Sequence, residues 1–202
     1  MSPFELVFAV YGLLLGLAIS EVLGGFSRAL KLKRGTAAVR IGWLTPLLGA
    51  LVMLDLSSFW LLAWNARDQI DATYVTLVCV LAMVGVYYLA ATLIFPDEPE
   101  EWPDFDLWYD KQKRLVVGGL LLANIASWFG VAVLEARHPA PAAAAVTIPS
   151  DPLLDTIYMV SGVAILALFA ALLFVRGRRW NLALLVALCG FMFLSGIVEG
   201  YI

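Results

Sequence analysis

The sequence predicts an all-α, polytopic transmembrane helix bundle of about six spans with both termini on the outer face. Three features carry that expectation: the composition, the length of the apolar runs, and the way Lys and Arg alternate between successive loops. Of 202 residues, 62% are hydrophobic and 14% charged, and the mean hydropathy is +0.90. Soluble domains average about 25% charged residues, and a water-soluble fold of this size could not hide so much apolar surface. The formal charge of −3 says less than where the charges lie. It gives no reason to expect a nucleic-acid partner, and membrane lipids are the expected surroundings.

The apolar runs fall at 4–30, 41–64, 72–95, 115–135, 152–175 and 180–201. At 1.5 Å rise per residue each can cross about 30 Å of hydrocarbon. They lack the alternation of a membrane β-barrel strand, and helices satisfy their own backbone groups in lipid. The first run lacks a basic leader and is interrupted by Glu5, so it is expected as a retained span rather than a signal peptide. No internal repeat stands out, and the whole chain is expected to be one transmembrane domain.

Orientation follows from the cations. Arg28, Lys31, Lys33, Arg34 and Arg40 flank the first loop, Lys111, Lys113 and Arg114 the third, and Arg176, Arg178 and Arg179 the fifth, whereas Arg67 and Arg137 lie opposite. Cationic loops stay in the cytoplasm, which places both ends of the chain outside. Trp43 and Trp180 then mark the cytoplasmic boundary, and Trp60 and Trp64 the outer one. Two loops are longer than turns. The outer segment 138–150 is rich in Pro and Ala and reads as a spacer. The cytoplasmic segment 96–114 is acidic, then aromatic, then basic; its second half reads as a short amphipathic helix with Asp104 or Asp106 as N-cap and Trp108 and Tyr109 at the headgroup level, available to dock a partner.

Ionisable groups inside a span cost about 2.5–3.5 kcal/mol at the helix centre on insertion scales, so they are the first functional candidates. Glu21, about 25 Å along the first span from Phe4, and Asp55, in the second, stand out, and they are not expected to touch. Glu21 reads either as a proton or cation site or as the partner of Arg28 two turns away. Asp55 reads as a pathway group or as a structural contact with Ser57 and Ser58. Glu5, Glu135, Asp151, Asp155 and Glu199 sit at outer span ends, making an acidic mouth if the helices converge; of these Glu199 is carried forward as a pathway candidate.

Gly12, Gly16, Ser20 and Gly24 recur every four residues beside Glu21, a small-residue ridge suited to close helix packing within the chain or between copies in a homo-oligomer. Gly119, Ala123 and Ser127 repeat the device on the fourth span, and Gly196 and Gly200 flank Glu199; Asn124 and Trp128 read as packing groups with a polar handle. Cys79 and Cys189 read as small buried hydrophobes. No cofactor motif, metal-ligand spacing or catalytic template of the HExxH, GxGD or GxSG kind is present, and the single histidine, His138, lies in the outer spacer. An enzyme is therefore not expected.

The stretches Gly16 to Gly25 (GLAISEVLGG) and Tyr88 to Asp97 (YLAATLIFPD), followed by the aromatic-acidic segment and the basic cluster, resemble a group of small bacterial six-helix inner-membrane proteins with no assigned activity. The resemblance implies a bacterial inner membrane and no mechanism. Three functions are carried forward: a small oligomeric proton or cation channel or transporter using the intramembrane carboxylates; a non-transporting partner or sensor subunit that docks a cytoplasmic or membrane protein through 96–114; and a lipid-acting enzyme, whose sign would be a lipid-shaped cavity lined by Glu21 or Asp55.

Overall fold

The computed structural model describes residues 3–35, 39–71, 73–99, 101–137 and 152–199. Among them are six helices, each long and apolar enough to cross a membrane: α1 (Pro3–Arg34), α2 (Leu44–Asn65), α3 (Tyr74–Thr92), α4 (Phe105–Arg137), α5 (Pro152–Phe174) and α6 (Arg178–Glu199). No strand occurs among the described residues; one isolated bridge joins Arg40 to Asp104. The protein is an all-α membrane-type bundle. The helix ends carrying the basic clusters form one face, called here the basic face, and the opposite ends form the acidic face.

α2 is the hub, packing against α1, α3, α4 and α6, while α1 packs on α3, α3 on α4, α4 on α5, and α5 on α6. α1 buries a narrow stripe, Val7, Tyr11, Leu15, Ala18, Val22 and Ala29. Steps of three and four residues keep one side of a helix against its neighbours, while Leu6, Val10, Leu13, Leu17, Leu23 and Leu30 are exposed on the other side. Gly25 completes the stripe; a side chain there would collide with the Phe95 ring.

The ridge of Gly12, Gly16, Ser20 and Gly24 lies off this stripe. Of its glycines only Gly12 meets another helix, through Trp60; Gly16 and Ser20 are exposed, a side chain at Gly16 would meet nothing within 4 Å, and Gly24 faces Arg28 of its own helix. Within the chain, therefore, the ridge is not the packing surface of α1. On α4 the small residues do face inward: Ala123 and Ser127 are buried, and Gly119 lies against Val86.

The segment 104–114 differs from the expected surface helix, because it forms the first turns of α4 itself. Asp104 caps α4, its Oδ1 accepting from Asp106 N at 2.9 Å. The α1–α2 connection is stitched beside it, with Arg40 N donating to Pro103 O at 2.6 Å and Phe105 N to Arg40 O at 3.1 Å. Asp106 reaches across to α2, where its Oδ1 accepts from Leu44 N at 3.2 Å, and it pairs with Arg178 of α6. Thr45 Oγ1 donates to Phe105 O at 2.7 Å. Tyr109 is buried and donates to Asn181 Oδ1 at 3.1 Å, and the Trp108 indole donates to Leu93 O at 3.1 Å. Neither aromatic is free at the headgroup level, because both satisfy groups on neighbouring helices. Trp43 and Trp180 are exposed on the basic face, where amphipathic aromatics favour a bilayer interface.

Candidate functional site

Asp55 lies at the middle of α2 and is 1% exposed. α2 turns it toward α3 and α4, whose contributions there are Tyr87 and Asn124. Asn124 Nδ2 donates to Asp55 Oδ1 at 3.0 Å and to Oδ2 at 3.1 Å, and the Tyr87 side chain lies beside the same carboxylate. The Asn124 amide also reaches Leu120 O at 3.0 Å. One step toward α1, the Tyr11 hydroxyl donates to Phe59 O at 2.5 Å, with the Phe59 ring 4.9 Å from that of Tyr87. Asn124 and Tyr87 are both neutral, and no described Lys or Arg forms an ion pair with Asp55. A buried carboxylate without a cation is costly, so its donors matter to the fold as well as to any ligand.

Ser57 and Ser58, the expected partners of Asp55, instead donate to their own helix at Met53 O (2.9 Å) and Leu54 O (3.2 Å). The residue that sequence reasoning passed over is Asn124, read as a packing group. Its pairing depends on how α2 and α4 are aligned, which no local pattern encodes.

From this triad a cavity of about 480 Å³ runs toward the acidic face between α2, α4, α5 and α6. Its walls are largely apolar, with Leu62, Val131, Leu166 and Met192 among them, and Trp128 and Tyr158 add aromatic surface. Glu135 and Glu199 line its outer end, where Glu199 Oε1 accepts from Asn65 Nδ2 at 2.8 Å. Of the other expected acidic groups, Asp151 and the side chain of Asp155 lie outside the described residues, as do His138, the 138–150 spacer and Gly200.

The cavity has a floor. Between Asp55 and the basic face lie Leu48, Leu51 and Val52 of α2, Val117 of α4, and Leu185 and Leu188 of α6, each no more than 1% exposed. Beyond this dry layer comes a second polar cluster: Lys113 Nζ donates to Asn181 Oδ1 at 3.0 Å and to Val175 O, and Asn181 Nδ2 donates to Gly177 O at 3.0 Å. These bonds close the carbonyl end of α5, where a cation is favoured by the helix dipole. Lys113 had read as one more cation of a solvated loop; its partners lie more than sixty residues away along the chain.

Glu21 is not part of the cavity. It sits on α1, half-buried, with Arg28 Nη2 3.3 Å from its Oε1. Its side chain and Asp55 share no bond among the described residues. No group of three or more His, Cys, Asp or Glu able to hold a metal ion occurs among the described residues. The chain matches no protein-family model, no curated protein and no solved structure, so the reading of this site rests on its own geometry.

Proposed function

We propose that this multi-pass membrane protein moves a proton or a cation, and that Asp55 is the group that holds the cation during transfer. The observation that carries the reading is a mid-helix carboxylate, held only by neutral donors, at the inner end of a cavity whose outer end carries Glu135 and Glu199. A cation arriving through that cavity would neutralise the carboxylate, and acidic groups at the outer end raise the local cation concentration. The dry layer below Asp55 favours a carrier, in which the bundle re-packs to expose the site to the other face, over a standing pore. Glu21 takes no part in the path and acts as the partner of Arg28. By the positive-inside rule the basic face points to the cytoplasm, in a bacterial inner membrane, and the exposed Gly16 and Ser20 surface is where a second copy would pack. The contacts of Trp108 and Tyr109 inside the chain weaken the alternative of partner docking through 96–114.

Flux into proteoliposomes, followed with an internal pH dye for protons and with radioactive sodium for cations, tests the proposal. Asp55→Asn should abolish flux and Glu21→Gln should leave it unchanged. Flux that persists in Asp55→Asn, or no flux in the unaltered protein, would overturn it.

A further inference from the structure

The volume and lining of the cavity say more about its occupant than the carboxylate does. A proton needs no chamber of about 480 Å³. Hard metal cations ask for six or more oxygen ligands. The inner end offers one carboxylate, Asp55, with the Tyr87 hydroxyl and the Asn124 amide; the Ser58 and Ser127 hydroxyls a turn away already donate to their own helices at Leu54 O and Asn124 O, and much of the rest of the wall there is apolar or aromatic. A purely apolar guest would leave the buried carboxylate without purpose. The volume lies in the range of pockets for drug-sized molecules, which pair apolar walls with a few fixed polar groups.

We infer that the cavity binds an organic ammonium, a single positively charged nitrogen on an apolar body, with the nitrogen at Asp55 and the body among α4, α5 and α6. The inference rests on the reading of Asp55 as the cation-holding group. Three features support this class of ligand. The rings of Phe59, Tyr87 and Trp128 line the cavity and can face an alkylated nitrogen, which binds aromatic faces well. Small residues on the wall make room for the body: a side chain at Gly196 would meet nothing within 4 Å. Finally, the Asn124 amide can yield its place. It now donates to both Asp55 oxygens, yet it keeps an acceptor in Leu120 O at 3.0 Å. An incoming ammonium can therefore take over the carboxylate without leaving that amide unsatisfied. Seen this way, Asn124 is a placeholder for the ligand's charge.

Isothermal titration of the full chain in lipid nanodiscs with benzyltrimethylammonium tests this, with its neutral carbon isostere neopentylbenzene and sodium chloride as comparators and empty nanodiscs as the partition control. The ammonium should bind about tenfold or more tightly than the isostere. Asp55→Asn should remove that preference. Gly196→Phe, which keeps the carboxylate and fills the wall, should weaken the ammonium and leave Asp55 in place, so the inference stays testable if Asp55→Asn folds poorly. Glu21→Gln should bind as the unaltered protein does. Equal affinity for ammonium and isostere, or ammonium binding indifferent to both cavity variants, would overturn the inference. Asp55-dependent proton or sodium flux with no ammonium binding would sink this inference and spare the transport reading; ammonium binding that needs Asp55, in a protein without flux, would do the reverse.

Discussion

The pairing of Asp55 with Asn124 illustrates how a membrane bundle tolerates a carboxylate. Interhelical hydrogen bonds in membranes average only about 0.6 kcal/mol, because the separated helices find other partners. Removing a donor from a buried charge costs more, about 1–3 kcal/mol. Asn124→Leu should accordingly destabilise the bundle by about 1–3 kcal/mol, whereas Asp55→Asn, which discards the charge and keeps the shape, should cost less. Reversible unfolding in mixed micelles would rank the two; the opposite order would mean that the carboxylate itself stabilises the fold. Glu21→Gln should change stability by no more than about 1 kcal/mol, since both members of its pair with Arg28 are partly exposed. The existence of both carboxylates was plain in the sequence, as polar letters in apolar runs. What separates them was not, because Glu21 has its cation two turns along one helix, and Asp55 has its hydrogen-bond donor on another.

At the scale of elements, hydropathy located every span to within a few residues, except where a helix continues into polar sequence. α4 begins at Phe105, ten residues before its apolar run, because a helix can extend past hydrocarbon wherever neighbouring elements satisfy its side chains. The basic-face ends of α2, α4 and α6 are held in that way by Asp106, Asn181 and Lys113. Asp106→Ala should cost about 1–2 kcal/mol for the lost α2 cap, with a further loss from stranding Arg178, measurable as a lower thermal midpoint. Glycines divide in the same manner. Gly25→Leu should prevent α1 from meeting Phe95 and destabilise the bundle by about 1–3 kcal/mol or more, while Gly16→Leu, with open space around it, should leave the monomer fold unchanged. Were Gly16→Leu to dissociate a purified oligomer without lowering monomer stability, the four-residue ridge would be an intermolecular surface. The sequence displayed the ridge clearly, but a small residue looks the same whether it admits a neighbouring helix or faces lipid.

For the whole molecule, three layers follow one another along the bundle axis: the polar clamp of Lys113 and Asn181, the dry layer of Leu and Val, and the Asp55 triad with its cavity. Composition made the bilayer setting legible, yet the one-sidedness of the cavity arises from the alignment of three helices, with Thr45, Lys113 and Asn181 at one level and Asp55 and Asn124 at another. Accessibility across that boundary is the most direct test. With Cys79 and Cys189 replaced by Ala, Ser195→Cys on the cavity wall and Leu188→Cys, seven residues and ~10 Å deeper on α6, would be treated with a membrane-impermeant cationic thiol reagent in vesicles of both orientations. The prediction is modification of Ser195→Cys from the acidic face only and of Leu188→Cys from neither. Labelling of both positions, or of Ser195→Cys from the basic face, would reveal a continuous water path and contradict a closed floor beneath Asp55.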